Sequence, residues 1–186
     1  MNARRKLVTL VTLVAMLLLL CCAPASFAQA TQPAEDMEAV KTRVKSYGLL
    51  REAFAHLQAA ESAYEFDPLA DDEFDATPAQ EEHFKQAIQS AKQAIELWPN
   101  LPDAHLLIAN AYWGLGQLHQ TEAHYSFALE LDPARDDILS ARVGLRIERK
   151  NLEGAKADAQ RLQQLESEFA ESAFNEVAAA EQAEPN

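Results

Sequence analysis

Three segments of this chain close on the same six-residue pattern: AYEFDP (Ala63–Pro68), AIELWP (Ala94–Pro99) and ALELDP (Ala128–Pro133). Each reads alanine, apolar, glutamate, apolar, variable, proline. Their alanine, glutamate and leucine are good helix formers. Proline has no N–H to give and clashes with the preceding turn, so it ends what they build. Pro99 and Pro133 stand 34 residues apart. A helix terminator recurring at such a period points to stacked helical hairpins, each burying its apolar face on the next.

The segment from Pro102 to Arg135 carries the pattern most fully. Leu106, Ile108, Ala109 and Tyr112 give one helical face, and Leu118, Thr121, Tyr125, Ala128 and Leu129 a second. Between them Gly116 supplies the backbone freedom of a tight turn. These residues resemble a tetratricopeptide repeat. Counting from Pro102, Ile108 takes the family's leucine place, Ala109 its small residue, Tyr112 the tyrosine, Gly116 the turn glycine and Leu118 the large residue opening the second helix. Thr121 stands where the family prefers alanine, Tyr125 at its aromatic, Ala128 at its second alanine and Pro133 at the closing proline. His105 departs from the tryptophan place. Small residues matter because two helices approach closely only where side chains are short. The resemblance implies an all-α chain, a short α-solenoid of antiparallel hairpins.

Its neighbours are in frame but less regular. Residues 136–169 form a divergent repeat, with Leu152 in Leu118's place, Ala155 in Thr121's, Ala159 in Tyr125's and Leu162 in Ala128's. Lys150-Asn151 replaces the glycine turn, and Arg142 sits where leucine is expected. Upstream, residues 79–101 make a second helix with Ala87, Ala91 and Ala94 in register. Its first helix is displaced: 37–66 reads as one long helix, followed by an acidic loop over 67–78 that ends at Pro78. That long helix is either the partner of 79–101 or the remnant of an earlier repeat, and the residues fit both. Residues 168–180 read as a C-terminal capping helix, which a solenoid needs at its open end, and 181–186 as a tail.

The first thirty residues have the layout of a secretory signal peptide. Arg4, Arg5 and Lys6 precede an uncharged run from Leu7 to Leu20, and small residues follow at Ser26, Ala28 and Ala30. Cleavage after Ala28 or Ala30 leaves a short disordered start over 31–36, an exported and periplasmic protein, and no cysteine. The alternative is lipid anchoring through Cys21 or Cys22. The leader holds three basic residues and no acid. Without it 13 Lys+Arg face 29 Asp+Glu, a net charge of −16 against −13 for the whole chain. Such a surface repels nucleic acid and anionic lipid, and after cleavage no segment is expected to insert in a membrane.

No catalytic or metal constellation stands out, so no enzyme activity, cofactor or metal is expected. His119 and His124 are five apart, on different helical faces, and none of the five histidines makes a zinc-protease pair. Asp67, Asp71, Asp72, Glu73 and Asp75 could offer oxygen to calcium, but they lack the glycine and spacing of the helix-loop-helix motif and read as a solvated loop.

What remains is a groove. In the family resembled, first helices line a concave surface at fixed positions. Carried over, these are Asp103, Leu106, Asn110 and Trp113, then Asp137, Ser140, Gly144 and Ile147. Trp113 is either a binding anchor or, with Leu106, packing for the long N-terminal helix. Some members clamp a C-terminal carboxylate with lysines, an arginine and asparagines. Only Asn110 of that set is present, since Leu106 and Asp137 hold lysine places. The implied function is a protein–protein interaction module, an adaptor or assembly factor for an envelope complex, taking a basic or apolar peptide. A self-associating structural module, forming a homo-oligomer, and a small-ligand accessory subunit of a transport system are the alternatives.

Overall fold

The computed structural model describes residues 36–62 and 76–183, and in them two of the hexapeptides end helices in the same way. The N–H of Trp98 donates to the Ala94 carbonyl, and that of Asp132 to the Ala128 carbonyl, each at 2.9 Å. The chain leaves the helix there, one residue before the proline. The third hexapeptide, the expected leader, residues 63–66 of the long helix, the loop from 67 to 75 with its acidic cluster, and the last three residues of the tail lie outside the described residues.

The regular structure described is helical throughout: α1 (Met37–Ser62), α2 (Pro78–Leu97), α3 (Pro102–Gly114), α4 (Leu118–Leu131), α5 (Asp136–Glu148), α6 (Leu152–Gln164) and α7 (Ala170–Ala183). By its contacts the chain divides into Met1–Val40 and Lys41–Asn186, and the hairpins all belong to the second unit. They stack as an all-α solenoid of antiparallel pairs, α3 with α4 and α5 with α6, closed by α7.

Pro78 does not end the acidic loop but opens α2. Thr77 is the N-cap, its Oγ1 accepting from the Gln80 N–H at 3.3 Å while its own N–H donates to Gln80 Oε1 at 2.9 Å. Proline at the first helical position loses only an N–H that has no partner there, so the residue that breaks a helix inside also begins one. The closing helix likewise starts at Ala170 rather than 168 and runs to Ala183.

Alanines set the helix spacing. Ala53, Ala60, Ala87, Ala91, Ala94, Ala104, Ala109, Ala111, Ala128, Ala155 and Ala159 are wholly inaccessible, with Ile108, Ile138, Leu139, Val143 and Leu162 filling the space beside them. Ala53, Leu57 and Ala60 of α1 pack in one cluster with Phe84, Ala87, Ile88 and Ala91 of α2 and Ile108 and Ala111 of α3. α1 thus shares a core with α2 and α3.

The divergent repeat adds a charge network to its apolar core. Arg142, only 8% exposed in the leucine place, donates Nε and Nη2 to the two Asp158 oxygens at 2.8 and 2.7 Å. Arg146 reaches Asp158 at 2.8 Å and Glu122 at 2.9 Å, and Arg149 also pairs with Glu122. This bidentate pairing is what makes a guanidinium tolerable in a core position. The turn is kept as well: Lys150 adopts φ 58° where Gly116 has φ 68°. The N–H groups of Gly116 and Gln117 donate to Trp113 and Tyr112, and those of Lys150 and Asn151 to Ile147 and Arg146.

Candidate functional site

The C-terminal halves of α1, α3 and α5 border a groove of about 700 Å³. α1 contributes Leu57, Ala60 and Glu61; α3 contributes Asn110, Trp113 and Gly114; α5 contributes Ala141, Gly144, Leu145 and Glu148. The first turns of α2 add Gln80 and Phe84, and α4 adds Tyr125.

Its floor is apolar. Phe84, Leu57 and Leu145 are buried, while Trp113 stands 56% exposed. Phe84 fits because Gly114 has no side chain: a Cβ there would lie 2.2 Å from Phe84 Cζ. Gln80 Nε2 donates to the Ala60 carbonyl at 3.2 Å, so the capping residue of α2 also ties down the end of α1. Across the floor Tyr125 Oη donates to Asn110 Oδ1 at 2.9 Å. Burial pushes the Tyr125 hydroxyl up to about 12, which keeps it a donor over the physiological range. The charged residues in the lining are two carboxylates, Glu61 and Glu148.

Of the positions carried over from the family, Asn110, Trp113 and Gly144 lie in this groove. Asp103 and Asp137 lie elsewhere and are engaged. Arg135 Nη1 donates to Asp103 at 2.6 Å, and its Nε and Nη2 donate to Asp137 at 2.8 and 2.7 Å. That guanidinium holds the Asp137 carboxyl below its usual range. Leu106 and Ile147 are half-buried against the cluster containing Tyr125, Leu129, Ile138 and Leu139. Leu106 thus packs in the core of the α3–α4 and α5–α6 hairpins. Ser140 is half-buried and outside the lining.

The repeat positions take their places in the core. Ile108, Ala109, Thr121 and Ala128 are fully buried and Tyr125 nearly so. Tyr112 and Leu118 are half-buried, and Pro133 is exposed, its carbonyl accepting from Arg161 at 2.8 Å.

Sequence reasoning missed Leu57, Ala60, Glu61, Gln80 and Phe84, because α1 and α2 fall outside the 34-residue frame. It also missed Ala141 and Glu148, for which a signal existed. Both share Gly144's helical face at i−3 and i+4, whereas strict period carry-over selected Ser140 and Ile147 one residue away. Another pairing was unforeseen: His124 meets His105, not His119, with the two Nδ1 atoms 3.2 Å apart.

Among the described residues no group of three or more His, Cys, Asp or Glu could hold a metal ion, and no helix is long and apolar enough to cross a membrane.

No protein-family model matches the chain, and no curated protein matches it. Among solved structures it is similar to the first TPR of Spaghetti (RPAP3) bound to the HSP90 peptide SRMEEVD, at 21% identity over 72% of this chain and 94% of that one, with a TM-score of 0.50. It is also similar to the first TPR domain of the human RPAP3 protein, solved by NMR, at 18% identity over 72% and 98% of the two chains, with a TM-score of 0.49. The first likeness bears on the fold alone, and it agrees with the helices described here: a solenoid of stacked antiparallel hairpins of the TPR type.

Proposed function

We propose that this chain is a binding module, an adaptor or assembly factor, whose groove takes an extended segment of another protein presenting an apolar side chain beside a basic one. The observation supporting this is the composition of the 700 Å³ groove: a floor of Phe84, Leu57 and Leu145, an exposed Trp113 wall, and Glu61 and Glu148 as its charges. The floor suits a hydrophobic anchor. The carboxylates and the Trp113 face suit a neighbouring cation. The HSP90 peptide named with the similar domain carries three acidic residues, which these carboxylates would repel. The basic, apolar and small-residue sections of the first thirty residues support export, and we place the protein's work in a bacterial periplasm.

Peptide arrays and capture from an envelope extract test this reading. Basic–apolar peptides should bind at least tenfold tighter than acidic ones, and Trp113→Ala should weaken them about thirtyfold, the loss of a typical ~2 kcal/mol anchor. Equal binding of acidic peptides, or indifference to Trp113→Ala, would sink it.

A second reading, self-association through α1, is favoured by Val44, Tyr47 and Phe54, which are 65, 53 and 50% exposed along one side of that helix. Sedimentation separates the two: a monomer across the micromolar range removes the second reading.

A further inference from the structure

The α3–α4 hairpin contains a contact that its role in the fold does not explain. His105 on α3 and His124 on α4 face each other through their Nδ1 atoms, 3.2 Å apart, with ring centroids at 5.4 Å. Tyr112 and Phe127 crowd His124 at 5.6 and 5.9 Å. Two nitrogens at that distance hold only while one carries a hydrogen and the other a lone pair. Doubly protonated, they would be two like charges in a half-buried space.

Among the described residues no carboxylate is hydrogen-bonded or ion-paired to either ring. From α2, Lys92 reaches the Tyr112 hydroxyl at 3.5 Å and adds a further cation. On α4 itself, Glu122 is taken by Arg146 and Arg149. From α5, Arg142 is turned to Ser126 and Asp158, and Arg146 to Glu122 and Asp158. The next residue after His124 is Tyr125, whose bond to Asn110 crosses the groove floor between the same two helices.

We propose that His105 and His124 form a proton-operated latch: neutral, they bind α3 to α4 across 3.2 Å, and a second proton parts the helices and releases Tyr125 from Asn110. The latch is independent of which ligand the groove takes. Burial and the neighbouring His105 and Lys92 lower His124 to about 4, and burial lowers His105 from 6.5. The unfolded chain therefore binds these protons first. The stabilisation is whole above pH 6.5 and is lost as pH falls from 6.5 towards 4.

Hydrogen exchange on the full chain, corrected for the pH dependence of the chemical step, tests this directly. Protection of α3 and α4 amides should fall at least tenfold between pH 7 and pH 4.5, since pH 4.5 lies about two units below the ordinary histidine midpoint and each unit is a tenfold change in the equilibrium. His124→Gln should abolish most of that fall. Unchanged protection in the native chain, or the same fall in His124→Gln, would overturn the latch. Imidazole NMR titration of the unsubstituted protein needs no variant. Midpoints below 6.5 for both rings are expected, and ordinary midpoints near 6.5 would refute it.

Discussion

The hairpins α3–α4 and α5–α6 have one backbone and two kinds of adhesive. In the first, Ala109 and Ala128 let the helices close, and Ile108 and Tyr125 fill the flanks. The second keeps such a core, Ala155 and Ala159 beside Val143 and Leu162, and adds an ion network of Arg142, Arg146 and Asp158 that reaches Glu122 of α4. The turns repeat the contrast, with glycine at position 116 and lysine at position 150 in the same left-handed conformation. Period and backbone bonding define this fold more tightly than residue identity does. A buried ion network can stand in for a leucine provided every charge finds its partner.

That contrast can be broken most forcefully at Asp158. Asp158→Ala leaves Arg142 without its bidentate partner and deprives Arg146 of one carboxylate. It should cost about 3–5 kcal/mol in chemical denaturation. Replacing Arg142 and Asp158 together by leucine should recover most of that loss, because the second hairpin then resembles the first. A double variant as unstable as Asp158→Ala would show that the charges do something leucine cannot.

Gly114→Ala probes the apolar side. Its Cβ would meet the Phe84 ring at 2.2–2.7 Å, and overpacking of this kind costs about 1–3 kcal/mol. A neutral result would mean that the groove floor yields freely. Exchanging the turns is milder. Gly116→Lys should destabilise by about 1–2 kcal/mol, and Lys150→Gly should gain up to about 1 kcal/mol. Shifts of opposite sign in melting temperature are expected, and a loss of stability in Lys150→Gly would show that the two turns are not equivalent. Smallest is Tyr125→Phe, which removes one hydrogen bond to Asn110 and should cost about 1 kcal/mol.

Much of the first hairpin was legible in the sequence because its signals are local. A proline ending a helix, a glycine in a turn and alanines at helical spacing act within a few residues of themselves. The second hairpin was readable by period, but not how Arg142 would be satisfied. Its partner Asp158 lies 16 residues away on another helix, and nothing near Arg142 announces it. The same distance problem hid Phe84 and Glu61 in the groove and the meeting of His105 with His124. Pro78 was misjudged for a different reason: proline is a start signal as well as a stop, and Thr77 with Gln80 three residues on, a capping box, distinguishes the two.

Gly144 offers the most direct test of the groove. It lines the site, and a Cβ added there meets nothing within 4 Å. Gly144→Leu should therefore raise stability by roughly 0.5–1 kcal/mol through helix propensity while filling the groove. The account predicts that melting temperature rises and capture of the basic–apolar segment falls at least tenfold in the same protein. Undiminished capture by this more stable variant would contradict the groove as the binding site.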